Sequence, residues 1–260
     1  MTQSTEHDDV LISRRTGEAV HLILNRPAVL NALNTELLDA LDNQLDSALA
    51  DATVRVIIIQ GAGGRAFSAG ADLKELTGLE SEAALQLLNR GQQVFRRIEL
   101  APKPIVAVVD GFAIGGGFEL ALACHLLIAT ERSAFGLPEA TLGLIPGYGG
   151  TQRLTDALGR RLALRLMLTG TRLSAESAAQ AGMLACPAVA PDSLAAVVDE
   201  FVEQLCRAAP AATRAVLTAT SAGVPSTLAL GQEAALAAIA ISSDNGQGGI
   251  AAMLAKMADR

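Results

Sequence analysis

Asp110–Gly150 reads DGFAIGGGFELALACHLLIATERSAFGLPEATLGLIPGYGG. Three consecutive glycines, Gly115, Gly116 and Gly117, follow an all-apolar run, Ile105–Val109, and precede an apolar segment, Glu119–Ala123, that begins with an acid. The run is short and rich in valine and isoleucine, the pattern of a strand buried on both faces. The segment after the glycines predicts a short helix. Glycine loses more conformational freedom on folding than any other residue, so a segment needed only for packing avoids it. A triplet marks a place where backbone approaches something closely and offers it N–H groups. The first turn of a helix leaves such groups unpaired and carries partial positive charge, which suits an oxygen that gains negative charge. A second carboxylate, Glu139, follows Pro138.

Outward from this stretch, a similar unit of strand, glycine loop and helix occurs upstream. Val54–Gln60 (VRVIIIQ) predicts a buried strand, followed by Gly61-Ala62-Gly63-Gly64 and a small-residue loop, Arg65–Ala71. The recurrence at 54–73 and 105–123 predicts an α/β fold of stacked ββα-like turns. Strands are expected at Val10–Ser13, Ala19–Leu24 and Leu126–Thr130, the first two joined at Thr16-Gly17-Glu18. Apolar residues at 37, 38, 41, 45, 48 and 49 predict a helix over Glu36–Ala50, capped by Asn34 or Thr35. Another is expected over Ser81–Leu100, stopped by Pro102 and Pro104. Beyond Thr151 the chain is mostly helical: Ser174 caps a helix that stops at Gly182, and Pro191 and Pro210 bracket a long one over 192–209. Two alanine-rich helices, about 225–243 and 247–258, finish it. The expected organisation is a disordered tail over 1–9, a core over 10–190 and a helical region over 191–260. So alanine-rich a region gains little buried area per residue, which predicts reliance on partner subunits.

Of 260 residues, half are hydrophobic, yet there are no tryptophans, one tyrosine and six phenylalanines, so the core is aliphatic. With a net charge of −7 and no Lys/Arg cluster beyond a pair, a nucleic-acid surface is not expected. The three cysteines, Cys124, Cys186 and Cys206, are odd in number and lack metal-ligand spacing, as reduced cytosolic thiols do. No apolar run approaches a membrane span, and the polar, acidic start is unlike a signal peptide. A soluble, cytoplasmic protein without membrane contact is expected.

Several chemistries fall away. Neither glycine loop has the phosphate-binding spacing G-x-G-x-x-G opening a helix, or G-x-x-x-x-G-K-[ST]. No serine or cysteine stands in a nucleophile context, so His125 is better explained as a satisfied residue at a strand start than as a base. No carboxylates cluster with histidine at metal-ligand spacing, and no metal is expected. Glu119 and Glu139 remain. An acid in the first turn of a helix is ordinary when exposed, but the neighbours of Glu119 are apolar on all sides, and a buried glutamate needs a partner. Glu139 alone reads as a surface acid. Two carboxylates flanking a glycine-built anion site instead suit acid/base work.

The motifs as a set resemble the crotonase superfamily, and within it enoyl-CoA hydratase. The matching pieces are Asn25–Leu33 (NRPAVLNAL), Ala66–Lys74 (AFSAGADLK), Lys103–Leu120 (KPIVAVVDGFAIGGGFEL) and Phe135–Leu154 (FGLPEATLGLIPGYGGTQRL), continued by Leu168-Thr169-Gly170 and Ala178–Gly182. The resemblance implies a ββα spiral core and a C-terminal helical region that builds trimers, commonly paired into hexamers. It implies an acyl-CoA thioester as substrate, with coenzyme A carried by the substrate and no further cofactor. The oxyanion-hole N–H groups would be those of Ala71 and Gly116. CoA contacts would run along Ala71, Asp72, Leu73 and Lys74, with Lys74 near phosphate. Hydratases of the family use two glutamates, matched here by Glu119, which would activate water, and Glu139, which would protonate Cα. The acyl tail is expected against Leu73–Phe95. Two departures stand out: His125 replaces a common aspartate, and the tail has Gly248, Met253 and Met257 where the family has an acid, an aromatic residue and an arginine.

Overall fold

Gly17, at φ +56°, turns β1 (Leu11–Thr16) back into an antiparallel partner, β2 (Ala19–Leu24). The chain leaves β2 through Leu30 and Asn31, both in the left-handed region at φ +54° and +57°. Asn34 then accepts the Leu37 N–H at 3.1 Å and caps α1 (Thr35–Ala50). The structure, a computed structural model, describes residues 9–221 and 225–258; the disordered tail expected over 1–9 lies outside them but for Asp9.

Three turns of strand, strand and helical segment follow. The first is β3 (Val56–Gly61), β4 (Ala66–Ser68), α2 (Leu73–Leu76) and α3 (Ser81–Glu99). The second is β5 (Ile105–Val109), β6 (Phe112–Ile114) and α4 (Gly116–Ala123); the third is β7 (Leu126–Ala129), β8 (Ala134–Gly136) and a 3-10 turn, Glu139–Leu142. The first strand of each turn extends a five-stranded sheet of order β1-β2-β3-β5-β7, parallel from β2 onward. Alternation sends Ile57, Ile59, Ala107 and Val109 into the main core and Val56, Ile58, Val106 and Val108 to the opposite face. That second face is covered by α8 (Leu194–Cys206) through Val198, Phe201 and Leu205, so the strands are buried on both sides.

The second strand of each turn joins a smaller sheet, in which β4, β6 and β8 are parallel and β9 (Leu173–Ser174) closes one edge antiparallel. The C-terminal ends of β4, β6 and β8 lie side by side. They deliver Ala69–Asp72, Gly115–Glu119 and Leu137–Glu139 to one place, as strand ends of parallel sheets often do. The remaining helices are α5 (Gly150–Leu158), α6 (Arg160–Thr169), α7 (Ala175–Gln180), α9 (Pro210–Thr220), α10 (Thr227–Ser242) and α11 (Asp244–Ala258). α10 lies along α3, and α11 crosses α2 and the Glu139–Leu142 turn. Among the described residues no helix is long and apolar enough to cross a membrane.

Several boundaries depart from the sequence expectation. The loop expected over Arg65–Ala71 contains β4, and neither β6 nor β8 is foreseen, since three residues are too short to show a period of two. The helix expected over 192–209 is a 3-10 turn, Pro191–Ser193, and the shorter α8. Pro210 does not merely end that helix: it starts α9 at the first helical position, where its missing N–H costs nothing. α4 begins at Gly116, so Glu119 sits in its first turn.

Candidate active site

Each glycine of the triplet has a separate reason to lack a side chain. Gly115 turns the chain out of β6 at φ +54°, and a Cβ there would lie 2.9 Å from Glu139 Oε1. A Cβ on Gly116 would lie 2.9 Å from Tyr148 Cδ2 and 3.3 Å from the Ala71 nitrogen. One on Gly117 would lie 2.4 Å from Ser68 O, which locks α4 against β4. Ala71 and Gly116 are therefore neighbours. The Ala71 N–H is turned toward this space by a bridge on its other side. Leu33 donates to Gly70 O at 2.7 Å and accepts from Asp72 N–H at 2.9 Å, so Ala71's own N–H faces away from Leu33. Neither the Ala71 nor the Gly116 N–H has an acceptor among the described residues. Buried Asn31 fixes the surrounding loops, donating to Ala62 O and Ala66 O at 2.9 Å each.

Glu119 is 2 % exposed, and its partners are backbone. Oε1 accepts the Tyr148 and Gly150 N–H groups at 2.8 and 2.7 Å. Burial, then the charges of Glu233 and Glu139, hold its carboxyl well above the usual range against those two donors. Glu139 sits half-buried on the 3-10 turn, and its Oε2 is buried with no partner among the described residues. Burial pushes its carboxyl up to about 8, with the charge of Glu233 adding to the effect. Both acids line one cavity of about 120 Å³, together with Ala71, Gly116 and Tyr148. The rest of the lining is apolar and includes Leu73, Leu76, Leu88, Leu142 and Ile241.

Of the expected CoA contacts, Ala71 and Leu73 line this cavity. Asp72 is engaged from two sides: Arg26 pairs with it at 2.9 Å, and its Oδ1 accepts the Lys74 N–H at 3.2 Å to cap α2. Lys74 is exposed. His125 stands at the opposite ends of the strands, where its Nδ1 accepts the Ile105 N–H at 3.0 Å. Among the described residues no three His, Cys, Asp or Glu side chains are grouped to hold a metal ion. Sequence reasoning missed Glu233, 3 % exposed on α10, which accepts the Gly149 and Thr151 N–H groups behind Glu119. The available signal was an acid as the one charged residue in a helix otherwise made mainly of alanine, leucine and isoleucine.

The model of the family described as enoyl-CoA hydratase/isomerase matches residues 15–257. The chain is 39% identical to the 2,3-dehydroadipyl-CoA hydratase of Escherichia coli K12, over 95% of this chain and 96% of that one. It is 36% identical to the short-chain-enoyl-CoA hydratase of Clostridium acetobutylicum, over 82% of each. The crystal structure of an enoyl-CoA hydratase from Bacillus anthracis superimposes with a TM-score of 0.79 at 35% identity, covering 95% of this chain and 96% of that one. With the turns of ββα structure and the glycine-built site between their strand ends, these likenesses make the chain a member of the enoyl-CoA hydratase/isomerase family, in the crotonase superfamily.

Proposed function

We propose that the chain hydrates a trans-2-enoyl-CoA, adding water syn to give a 3-hydroxyacyl-CoA. The observation that carries this is the meeting of two buried carboxyls of raised affinity for protons with two unpaired N–H groups around one cavity. The thioester oxygen accepts from Ala71 and Gly116. The Glu119 carboxylate takes a proton from water as the oxygen bonds to Cβ. The double-bond electrons move toward the thioester, and negative charge gathers on the oxygen between the two N–H groups. Glu139 delivers a proton to Cα. Exchange with solvent then returns Glu119 to the carboxylate and Glu139 to the acid. Each N–H contributes on the order of 3 kcal/mol to the charged state.

CoA lies along Ala71–Lys74 and past Gly116, with the exposed Lys74 ammonium offered to phosphate and Asp72 contributing through its backbone. Coenzyme A comes with the substrate, and no other cofactor takes part. The acyl chain is neutral: among the described residues the cavity wall offers no lysine or arginine to a distal carboxylate, which would be stranded beside Glu119 and Glu139. The enzyme works in the cytoplasm as a homotrimer or dimer of trimers, with residues 191–260 in the subunit contacts.

Loss of the conjugated enoyl-thioester absorbance of crotonyl-CoA tests this. The parent protein turns the substrate over, and E119Q and E139Q each lose about 10²–10⁴-fold in kcat while keeping the fold. No turnover of crotonyl-CoA or longer enoyl-CoAs by the parent overturns the proposal. A shifted double bond in place of the 3-hydroxy product makes it an isomerase, and tight binding without turnover makes it an acyl-CoA-binding protein.

A further inference from the structure

The four N–H groups of residues 148–151 are divided alternately between two carboxylates. Tyr148 and Gly150 donate to Glu119 Oε1; Gly149 and Thr151 donate to Glu233, Thr151 at 2.8 Å and with its hydroxyl as well. Gly149, at φ +101°, turns the chain between Tyr148 and the first residues of α5. A Cβ on Gly149 would lie 2.1 Å from Arg153 Nη1, and one on Gly150 would lie 2.8 Å from Glu119 Oε1, so neither position has room to relax. Glu233 is itself held from behind, since the Gln92 amide reaches its Oε1 at 3.5 Å and donates to Gly147 O and Leu230 O at 3.0 Å each.

We propose that Glu233 is a positioning residue for Glu119, fixing the segment 148–151 so that two of its N–H groups meet one oxygen of the base while its other oxygen stays available to water. This rests on the hydratase proposal for the role of Glu119. Glu233 touches no reacting atom; it acts through the shared backbone. It also acts through charge, because a second carboxylate on the far side of one peptide segment raises the proton affinity of Glu119. The other charged and titratable groups around the pair are Glu139 across the cavity, Tyr148, Cys124, and Arg153. Arg153 is buried, pairs with Glu99 at 2.9 Å and donates to Tyr148 O at 2.6 Å, and its charge also favours the ionised form of Glu233.

The test compares parent, E233Q and E233A proteins, with E119Q as the reference for the base. Crotonyl-CoA hydration is followed against pH, and the Glu carboxyl carbons are titrated by 13C NMR, the Glu119 signal being the one missing in E119Q. In E233Q we expect kcat to fall about tenfold or more with KM within about twofold, since the loss is in geometry at the reacting centre. The Glu119 titration and the acid limb of the kcat profile move down by about one pH unit, as removal of a nearby like charge requires. E233A falls further, because the Gly149 and Thr151 N–H groups then lack any acceptor. An unmoved Glu119 titration in a folded E233Q overturns the proposal, as does a loss confined to KM. If the parent shows no hydration, the hydratase proposal fails by itself, and the NMR titration still decides whether Glu233 governs Glu119.

Discussion

On the short turn after β8, the Glu139 carboxyl is drawn two ways. Burial and the charge of Glu233 favour its neutral form, while its own backbone N–H favours the anion, and burial wins. The folded carboxyl titrates at about 8, above an ordinary value of 4.5. The stability associated with this group is therefore complete below pH 4.5 and is lost as pH rises through about 8. Under the proposed mechanism, activity should fall along an alkaline limb near pH 8, where Glu139 loses its proton. E139Q should be more stable than the parent at pH 9 by about 1–2 kcal/mol and nearly equal to it at pH 4.5, measured by thermal unfolding at each pH. Glu119 stood out in the sequence because an acid set in an apolar run beside a glycine triplet has no packing explanation, whereas Glu139 drew attention only through its pairing with Glu119. Glu233 did not stand out, since alanine-rich helices carry isolated acids on exposed faces as a matter of course. What makes it different is the backbone it meets far away in sequence. The direction of the Ala71 N–H was hidden for the same reason: it depends on the bridge to Leu33.

At the scale of elements, α11 packs through missing side chains. A Cβ on Gly249 would lie 2.0 Å from Leu142 O, and one on Gly246 would lie 2.0 Å from Ala240 O. The first contact seats α11 on the turn that carries Glu139, and the second seats it against the end of α10. G249A should push α11 and that turn apart, costing about 1–3 kcal/mol in thermal unfolding and lowering kcat through Glu139. Gln247 ties the same helix to α2: it accepts from Gly78 N–H at 2.7 Å and donates to Leu76 O and Ile241 O at 3.0 and 2.8 Å. Q247A should raise KM for enoyl-CoA more than it lowers kcat, because α2 carries Leu73 and Lys74, two of the residues proposed to contact CoA. The long elements were readable from periodicity, and α1 and α3 lie within one residue of expectation at each end. The three-residue strands of the smaller sheet were not. Their pairing comes from the parallel stacking of successive turns, not from their own composition.

For the whole molecule, an aliphatic core divided by one sheet leaves the last helices short of cover. Leu228, Leu236 and Ile239 are exposed on one side of α10, although the opposite side is buried against α3. Exposed apolar residues grouped in this way mark a contact surface. Sedimentation should give three or six times the 26.7 kDa of one chain, and a double change, L236K with I239K, should lower the mass to that of one chain. The sequence pointed to this region through its alanine content, but which face stays uncovered depends on how α10 turns against α3.

The alternating amides of residues 148–151 also have a consequence in time. The N–H groups of Ala71 and Gly116, and the carboxylates Glu119 and Glu139, all leave the ribosome well before α10 and α11. A nascent chain paused at α9 would hold every group proposed to react and still lack Glu233, which accepts from residues 149 and 151, and the helix packed on the turn of Glu139. Catalytic competence would then arrive with the final helices, so that an unfinished or prematurely terminated chain stays chemically silent.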